Sequence, residues 1–182
     1  MAKIVDGTKV ITNEGRLSYA KLLEPGKEGE MDEGKYGTAF LIPKTDKETV
    51  KLLRQAVEQA MADGTKEFKW TNKDISKMDN PIKDGDEVGE EDSVYSNCFY
   101  INARSKRKPQ VINTNREPLT TEDDVYSGMY AKISVTAFPY DKGSKGVSFS
   151  LNNVLKLRDG ERLSGAASAE DDFAEDLEDD DL

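Results

Sequence analysis

The feature that most constrains the fold is the stretch 126–140, in which small or apolar side chains alternate with polar or aromatic ones. Ala131, Ile133, Val135 and Ala137 share one phase, and Tyr130 and Lys132 belong to the other. Successive side chains of a β-strand point to opposite faces, so this period of two predicts a strand with one buried face. A strand of this kind needs partners, and the sequence predicts a sheet.

Several other segments have the composition of strands. The ranges 9–12, 16–23, 35–42, 97–103, 110–113 and 147–157 are rich in β-branched and aromatic residues and are bounded by Gly, Pro or Asn. The first two read as two short strands or as one bent strand. Asn153 interrupts the alternation of the last segment, which indicates a β-bulge.

A single helix is predicted between the third and fourth of these strand ranges. Val50, Leu53, Val57 and Met61 recur at helical spacing and define one buried face. Thr45 is expected to cap its N-terminus and Gly64 to end it. Residues 71–93 show no apolar period and are expected to be a long surface loop.

About five short strands with one helix inserted midway fit a small closed barrel better than a sandwich or an open parallel sheet. The predicted fold is therefore mainly β, an OB-like five-stranded Greek-key barrel with one inserted helix.

The charge of the chain is concentrated at its C-terminus. The 182 residues carry a formal charge of −10, but nine of the 36 acids lie in the last thirteen residues, and the first 169 residues are nearly neutral. We therefore predict one domain over 1–163, followed by a flexible linker and a disordered acidic tail over 164–182.

Composition also excludes several kinds of chemistry. The chain has no histidine and one cysteine, Cys98, so it lacks the commonest general base and cannot build a thiolate metal cage. The segment 29–35 matches the start of a phosphate-binding P-loop, but its acids and the following strand argue against that site. The segment 84–89 resembles a calcium loop without its final bidentate carboxylate. We expect no catalytic residues, no metal and no cofactor.

The informative pattern is the interleaving of aromatic and basic residues on predicted strands and turns. Cations neutralise phosphates and aromatic rings stack on bases, which is how single-stranded nucleic acid is bound without sequence preference. The predicted DNA-binding residues are Tyr19, Lys21, Lys35, Tyr36, Tyr100, Arg104, Lys106, Arg107, Lys108, Tyr130 and Lys132.

The acidic tail suggests a second binding element. Apolar residues punctuate its acids, and on a short linker it would compete with DNA for a basic groove until DNA or a partner protein displaces it. The residues predicted for this autoinhibitory and partner-binding role are Glu170, Asp171, Asp172, Phe173, Asp176, Leu177, Asp179, Asp180, Asp181 and Leu182.

The chain resembles the OB-fold single-stranded-DNA-binding proteins of bacteriophages. The resemblance is carried by 100–103 with the basic turn after it, 125–128, 146–148, 157–161 and the acidic tail. It implies a protein of phage DNA replication or recombination that coats single strands in the bacterial cytoplasm, needs no cofactor, and contacts replication or recombination proteins through its tail. Related tails often end in an aromatic residue, whereas this one ends in Leu182.

Two other functions stay open at this point. The chain could be an acidic DNA mimic or protein-interaction module, or a metal-dependent nuclease, although neither has a dedicated motif. The sequence leaves open whether the chain forms a homodimer.

Overall fold

The computed structural model describes residues 1–88 and 93–163, together with Phe173 and Asp176. Its strands are β1 (Lys3–Val5), β2 (Lys9–Ile11), β3 (Gly15–Lys21), β4 (Tyr36–Pro43), β5 (Lys83–Asp84), β6 (Cys98–Ser105), β7 (Gln110–Ile112), β8 (Tyr130–Tyr140) and β9 (Gly146–Arg158). Its helices are α1 (Lys47–Phe68), α2 (Asn72–Ser76) and a 3-10 turn (Gly85–Glu87).

Five strands close into a barrel. Their order around the ring is β8, β3, β4, β6 and β9, and β9 pairs back with β8. The β6–β9 pair is parallel, and the other pairs of the ring are antiparallel. This arrangement confirms the predicted mainly β, OB-like barrel.

The strands β2 and β3 lie one after the other along the same edge of β8. Lys9 pairs with Thr136, and Gly15 pairs with Ala131. Between them Thr12 exchanges two hydrogen bonds with Ile133, at 3.0 and 3.1 Å. Of the two alternatives predicted for this region, the structure confirms two short strands, and they share one partner.

The hydrophobic core lies inside the barrel and between the barrel and α1. The apolar phase of β8 is buried, as its alternation predicted. The helix α1 adds the buried side chains Val50, Leu53, Ala56, Val57 and Ala60 to the same cluster.

Both predicted ends of α1 are wrong. The N-cap is Asp46, whose side chain accepts from Thr49 N at 3.1 Å, and not Thr45. The helix continues past Gly64 to Phe68. Gly64 is needed for packing instead, because a Cβ there would lie 2.4 Å from the ring of buried Trp70.

The prediction that 71–93 is a long surface loop is wrong in part, because the segment contains secondary structure. It contains α2, β5 and the 3-10 turn, and β5 pairs with β6. The strand β1 was also missed. The predicted irregularity in β9 is confirmed, because the partners of β8 jump from Asn153 to Leu151 between Ser134 and Val135.

No helix in the described ranges is long and apolar enough to cross a membrane.

Candidate nucleic-acid interface

The candidate interface is the outer face of β3, β4 and β6. Antiparallel partners share a face, so the register of these strands assembles its rows. Arg16, Leu41 and Tyr100 form one row. Lys21, Gly37 and Arg104 form another, nearer the end of β6.

Gly37 keeps this face open beside Arg104. A Cβ at Gly37 would lie 2.9 Å from the Cγ atom of Arg104 and 2.5 Å from the carbonyl oxygen of Ala103. A larger residue would therefore push the Arg104 side chain away from the sheet. The absence of a side chain on β4 lets Arg104 lie close to the neighbouring strand.

Two tyrosines lie together on this face. Tyr95 precedes β6, and its hydroxyl lies 2.9 Å from the Oγ atom of Ser18 on β3. Its ring meets that of Tyr100 edge to face, with centroids 5.1 Å apart. Burial raises the pKa of the Tyr95 phenol, so the hydroxyl stays protonated and able to donate to Ser18.

A third tyrosine is the most exposed ring of this face. Tyr19 lies at an irregularity in the β3–β4 pairing, with a φ of 48° and 77% of its surface exposed. A positive φ is costly for a residue with a side chain, and such strain persists only where the surroundings impose it. Tyr19, Tyr95 and Leu163 line one cleft of about 400 Å³.

Basic residues gather where β6 ends. Arg104, Lys106, Arg107 and Lys108 are all exposed, and Lys35 is exposed beside Tyr36, which pairs with Ser105. Within the described residues, none of these five cations forms an ion pair. These five residues form one end of the interface, here called the cationic end.

Lys21 is different, because acids hold it. Its ammonium pairs with Glu30 and lies 2.9 Å from the Oδ1 atom of Asp32. The hydrogen bond from Lys21 lowers the pKa of Asp32. Both acids belong to the P-loop-like segment 29–35, which therefore neutralises a cation of this face instead of cradling a phosphate.

Tyr130 and Lys132 lie on the strand beside β3, where Tyr130 pairs with Arg16 and continues the row of Arg16, Leu41 and Tyr100. That strand is β8, which is not adjacent to β6 in the ring. The guanidinium groups of Arg16 and Arg158 both contact the Tyr130 ring, with Cζ atoms 5.3 and 3.8 Å from its centroid. Arg158 also pairs with Glu14, so cations of the protein itself already contact this ring.

The structure thus brings most of the predicted DNA-binding residues to one side of the barrel. Tyr19, Lys21, Tyr100 and Arg104 lie on the outer face, and Lys35, Tyr36 and Lys106–Lys108 lie at its end. Tyr36 takes the opposite phase from Gly37 and is half-buried at the rim. Sequence reasoning missed Tyr95, because no pattern in its polar segment shows that the segment folds back over β3.

Little of the tail can be placed. Phe173 is 55% exposed, and Asp176 is also described. The other predicted tail residues lie outside the described residues: Glu170, Asp171, Asp172, Leu177, Asp179, Asp180, Asp181 and Leu182.

Comparison with known proteins assigns this chain to a family. The family model described as the single-stranded-DNA-binding protein of Enterobacter phage Enc34 matches residues 8–182. Protein p50 of Acyrthosiphon pisum secondary endosymbiont phage 1 is 34% identical over 179 residues, which is 93% of this chain and 94% of p50.

Two solved structures share the fold. The single-stranded-DNA-binding protein of bacteriophage Enc34 in complex with ssDNA has a TM-score of 0.64 and 24% identity, over 89% of this chain and 96% of that one. The single-stranded-DNA-binding protein gp2.5 of bacteriophage T7 has a TM-score of 0.61 and 14% identity, over 100% and 98% of the two chains. With a family model that spans nearly the whole sequence, the chain belongs to the Enc34 family of phage single-stranded-DNA-binding proteins.

Proposed function

We propose that this protein binds single-stranded DNA without sequence preference, along the outer face of β3, β4 and β6. The observation that carries the proposal is the coexistence on one barrel face of three tyrosine rings and a cationic end with no ion pairs among the described residues. Family membership supports it. In the infected cell, the protein would coat unpaired strands in the bacterial cytoplasm during phage replication or recombination.

The tyrosine rings and the cations of this face would bind different parts of the DNA. Each base stacked on an aromatic ring contributes about 1 to 3 kcal/mol, and every base offers a π-face, so stacking on Tyr19, Tyr95 and Tyr100 is indifferent to sequence. The cationic end binds phosphates and releases counterions. If about four phosphates are neutralised, the log–log slope of affinity against salt is about −3.

Tyr130 and Lys132 stay predicted contacts, and we expect them to bind only a longer segment of single-stranded DNA. The strand β8 adjoins β3, and Tyr130 pairs with Arg16, so DNA reaches these two residues only where it extends across the face beyond β3. We therefore expect these residues to add affinity only for oligonucleotides longer than the β3–β4–β6 face can hold.

The acidic tail is proposed to compete with DNA for this face. The last residue before the predicted tail, Leu163, lies in the cleft with Tyr19 and Tyr95, and its N–H donates to Ser127 O at 3.0 Å. The composition of 164–169 predicts a flexible linker, and a flexible chain of that length spans roughly 15 Å, so acids from Glu170 onward would start within reach of the interface. When DNA displaces the tail, its acids become available to replication or recombination proteins.

We propose that the protein has no catalytic activity. One experiment distinguishes binding of single-stranded DNA from the two alternatives, a DNA mimic and a metal-dependent nuclease. The wild type and a variant with reversed charge at 106–108 are each titrated into labelled oligo-dT. The titrations are done at two salt concentrations, with and without Mg²⁺. The expected results are salt-dependent binding, intact DNA, and loss of binding in Lys106→Glu/Arg107→Glu/Lys108→Glu but not in the control Lys66→Glu/Lys73→Glu/Lys77→Glu. No binding at low salt would favour the DNA mimic, and Mg²⁺-dependent cleavage would establish a nuclease.

A further inference from the structure

A second cationic surface lies away from the proposed DNA interface, on the N-terminal half of α1. Lys47, Lys51 and Arg54 follow one another at helical spacing of four and three residues, so they share one helix face. With Lys44 and Phe99 they border a groove of about 570 Å³ between α1 and the start of β6. This set of three α1 cations is called the α1 stripe below.

Nearby acids do not neutralise the stripe. Asp84 and Asp86 both pair with Lys44, at 2.8 and 2.6 Å. Glu58 also lines the groove but makes no ion pair in the described part of the chain. Like charges three and four residues apart repel one another and destabilise a helix. An acidic partner would remove that cost.

The groove suits an acidic peptide better than a nucleic acid. Stacking of a base needs an open ring face. The ring of Phe99 already has the Nζ atom of Lys44 and the Cζ atom of Arg54 over it, at 5.1 and 5.7 Å from its centroid. What remains is a row of cations beside a partly apolar surface formed by Val50 and Phe99.

This chain contains a segment of the complementary composition. Residues 170–182 hold nine acids, and Phe173 and Leu177 stand among them four residues apart. A segment with only a solubilising role has no use for those apolar residues. Acids for the α1 stripe and apolar side chains for the groove are both present in this one segment.

We infer that the acidic tail of one protomer docks on the α1 stripe of the next protomer along a coated strand. The inference rests on the proposed function, in which DNA displaces the tail from its own interface. Adjacent protomers on one strand hold each tail at high effective concentration near its neighbour. The acidic tail and the α1 stripe are different surfaces, so the contact between protomers is heterologous and can repeat from one protomer to the next along the DNA strand. It makes coating cooperative.

The test compares binding to two lengths of DNA with full-length protein. A dT oligonucleotide that holds one protomer reports intrinsic affinity, and long poly(dT) adds cooperativity. Reversal of the stripe should leave the short-oligonucleotide affinity within about twofold and lower cooperativity about tenfold or more. The variants are Lys47→Glu/Lys51→Glu/Arg54→Glu, the milder Lys47→Gln/Lys51→Gln/Arg54→Gln, and the matched control Lys66→Glu/Lys73→Glu/Lys77→Glu.

A compensating variant sharpens the test. Glu170→Lys/Asp171→Lys/Asp172→Lys/Glu175→Lys/Asp176→Lys/Glu178→Lys combined with the reversed stripe should restore cooperativity, since six lysines against the three remaining acids make the tail net positive and the stripe is then negative. Unchanged cooperativity in the stripe variants would overturn the inference, and so would an equal loss on short and long DNA, which would place the stripe on the DNA path. Wild-type protein that binds both lengths without cooperativity would overturn it and leave the proposed function standing. Failure to bind either length would refute the proposed function itself.

Discussion

Truncation of Tyr95 is the sharpest perturbation of the proposed interface. Tyr95→Ala removes a ring that lies over β3 and meets Tyr100 edge to face. A stacked base is worth about 1 to 3 kcal/mol. Tyr95 is half-buried and part of its ring already packs on protein, so we expect the lower part of that range, about 1 to 2 kcal/mol. The dissociation constant for oligo-dT should rise about 5- to 30-fold.

Two companion variants separate stacking from other effects. Tyr95→Phe keeps the ring and loses only the hydrogen bond with Ser18, so its affinity should stay within about twofold of wild type, with a net stability loss of about 1 kcal/mol. Phe138→Ala removes an exposed ring on β8, outside the interface, and should leave affinity unchanged. Fluorescence anisotropy with labelled oligo-dT measures all three. Wild-type affinity in Tyr95→Ala, or an equal loss in Phe138→Ala, would refute the reasoning.

Three further predictions follow from particular contacts. Glu30→Gln/Asp32→Asn should release Lys21 toward phosphate, because both acids pair with its ammonium, and should raise affinity for oligo-dT at low salt and steepen the salt slope. In the wild type the hydrogen bond from Lys21 lowers the pKa of Asp32, so this pair is lost only at a pH below the usual range for an aspartate, which a pH series of the same titration checks. Gly64→Ala should lower the free energy of unfolding by about 1 to 3 kcal/mol in urea titration, because its Cβ would overlap the Trp70 ring. Cys98 should react slowly with iodoacetamide at pH 8 in the folded protein and fast in urea, because burial raises the pKa of its thiol.

The barrel strands could be predicted from the sequence because their signals are local. The alternation around Ile133 and the helical spacing around Leu53 depend on side chains a few residues apart. The ends of α1 could not be predicted in the same way. Asp46 is selected as the cap in part by Asn13, which donates to it at 3.1 Å from 33 residues away, and Gly64 is explained only by its contact with Trp70.

The candidate site was predictable in part for the same reason. The alternation of β6 identified Tyr100 and Arg104 as neighbours on one face. The position of Tyr95 depends on a hydrogen bond to Ser18, 77 residues away in sequence, and no local pattern contains it. The separation of Tyr130 from Tyr100 follows from the order of strands around the ring, which the composition of individual strands does not specify.

Photochemical crosslinking locates the DNA path most directly. Oligo-dT that carries 5-iodouracil in place of thymine is bound to the full-length protein, irradiated, and mapped by mass spectrometry. The account predicts adducts at Tyr19, Tyr95 and Tyr100, with none at Tyr140. Adducts confined to the β8 wall around Tyr130, with the three tyrosines unmodified, would contradict it.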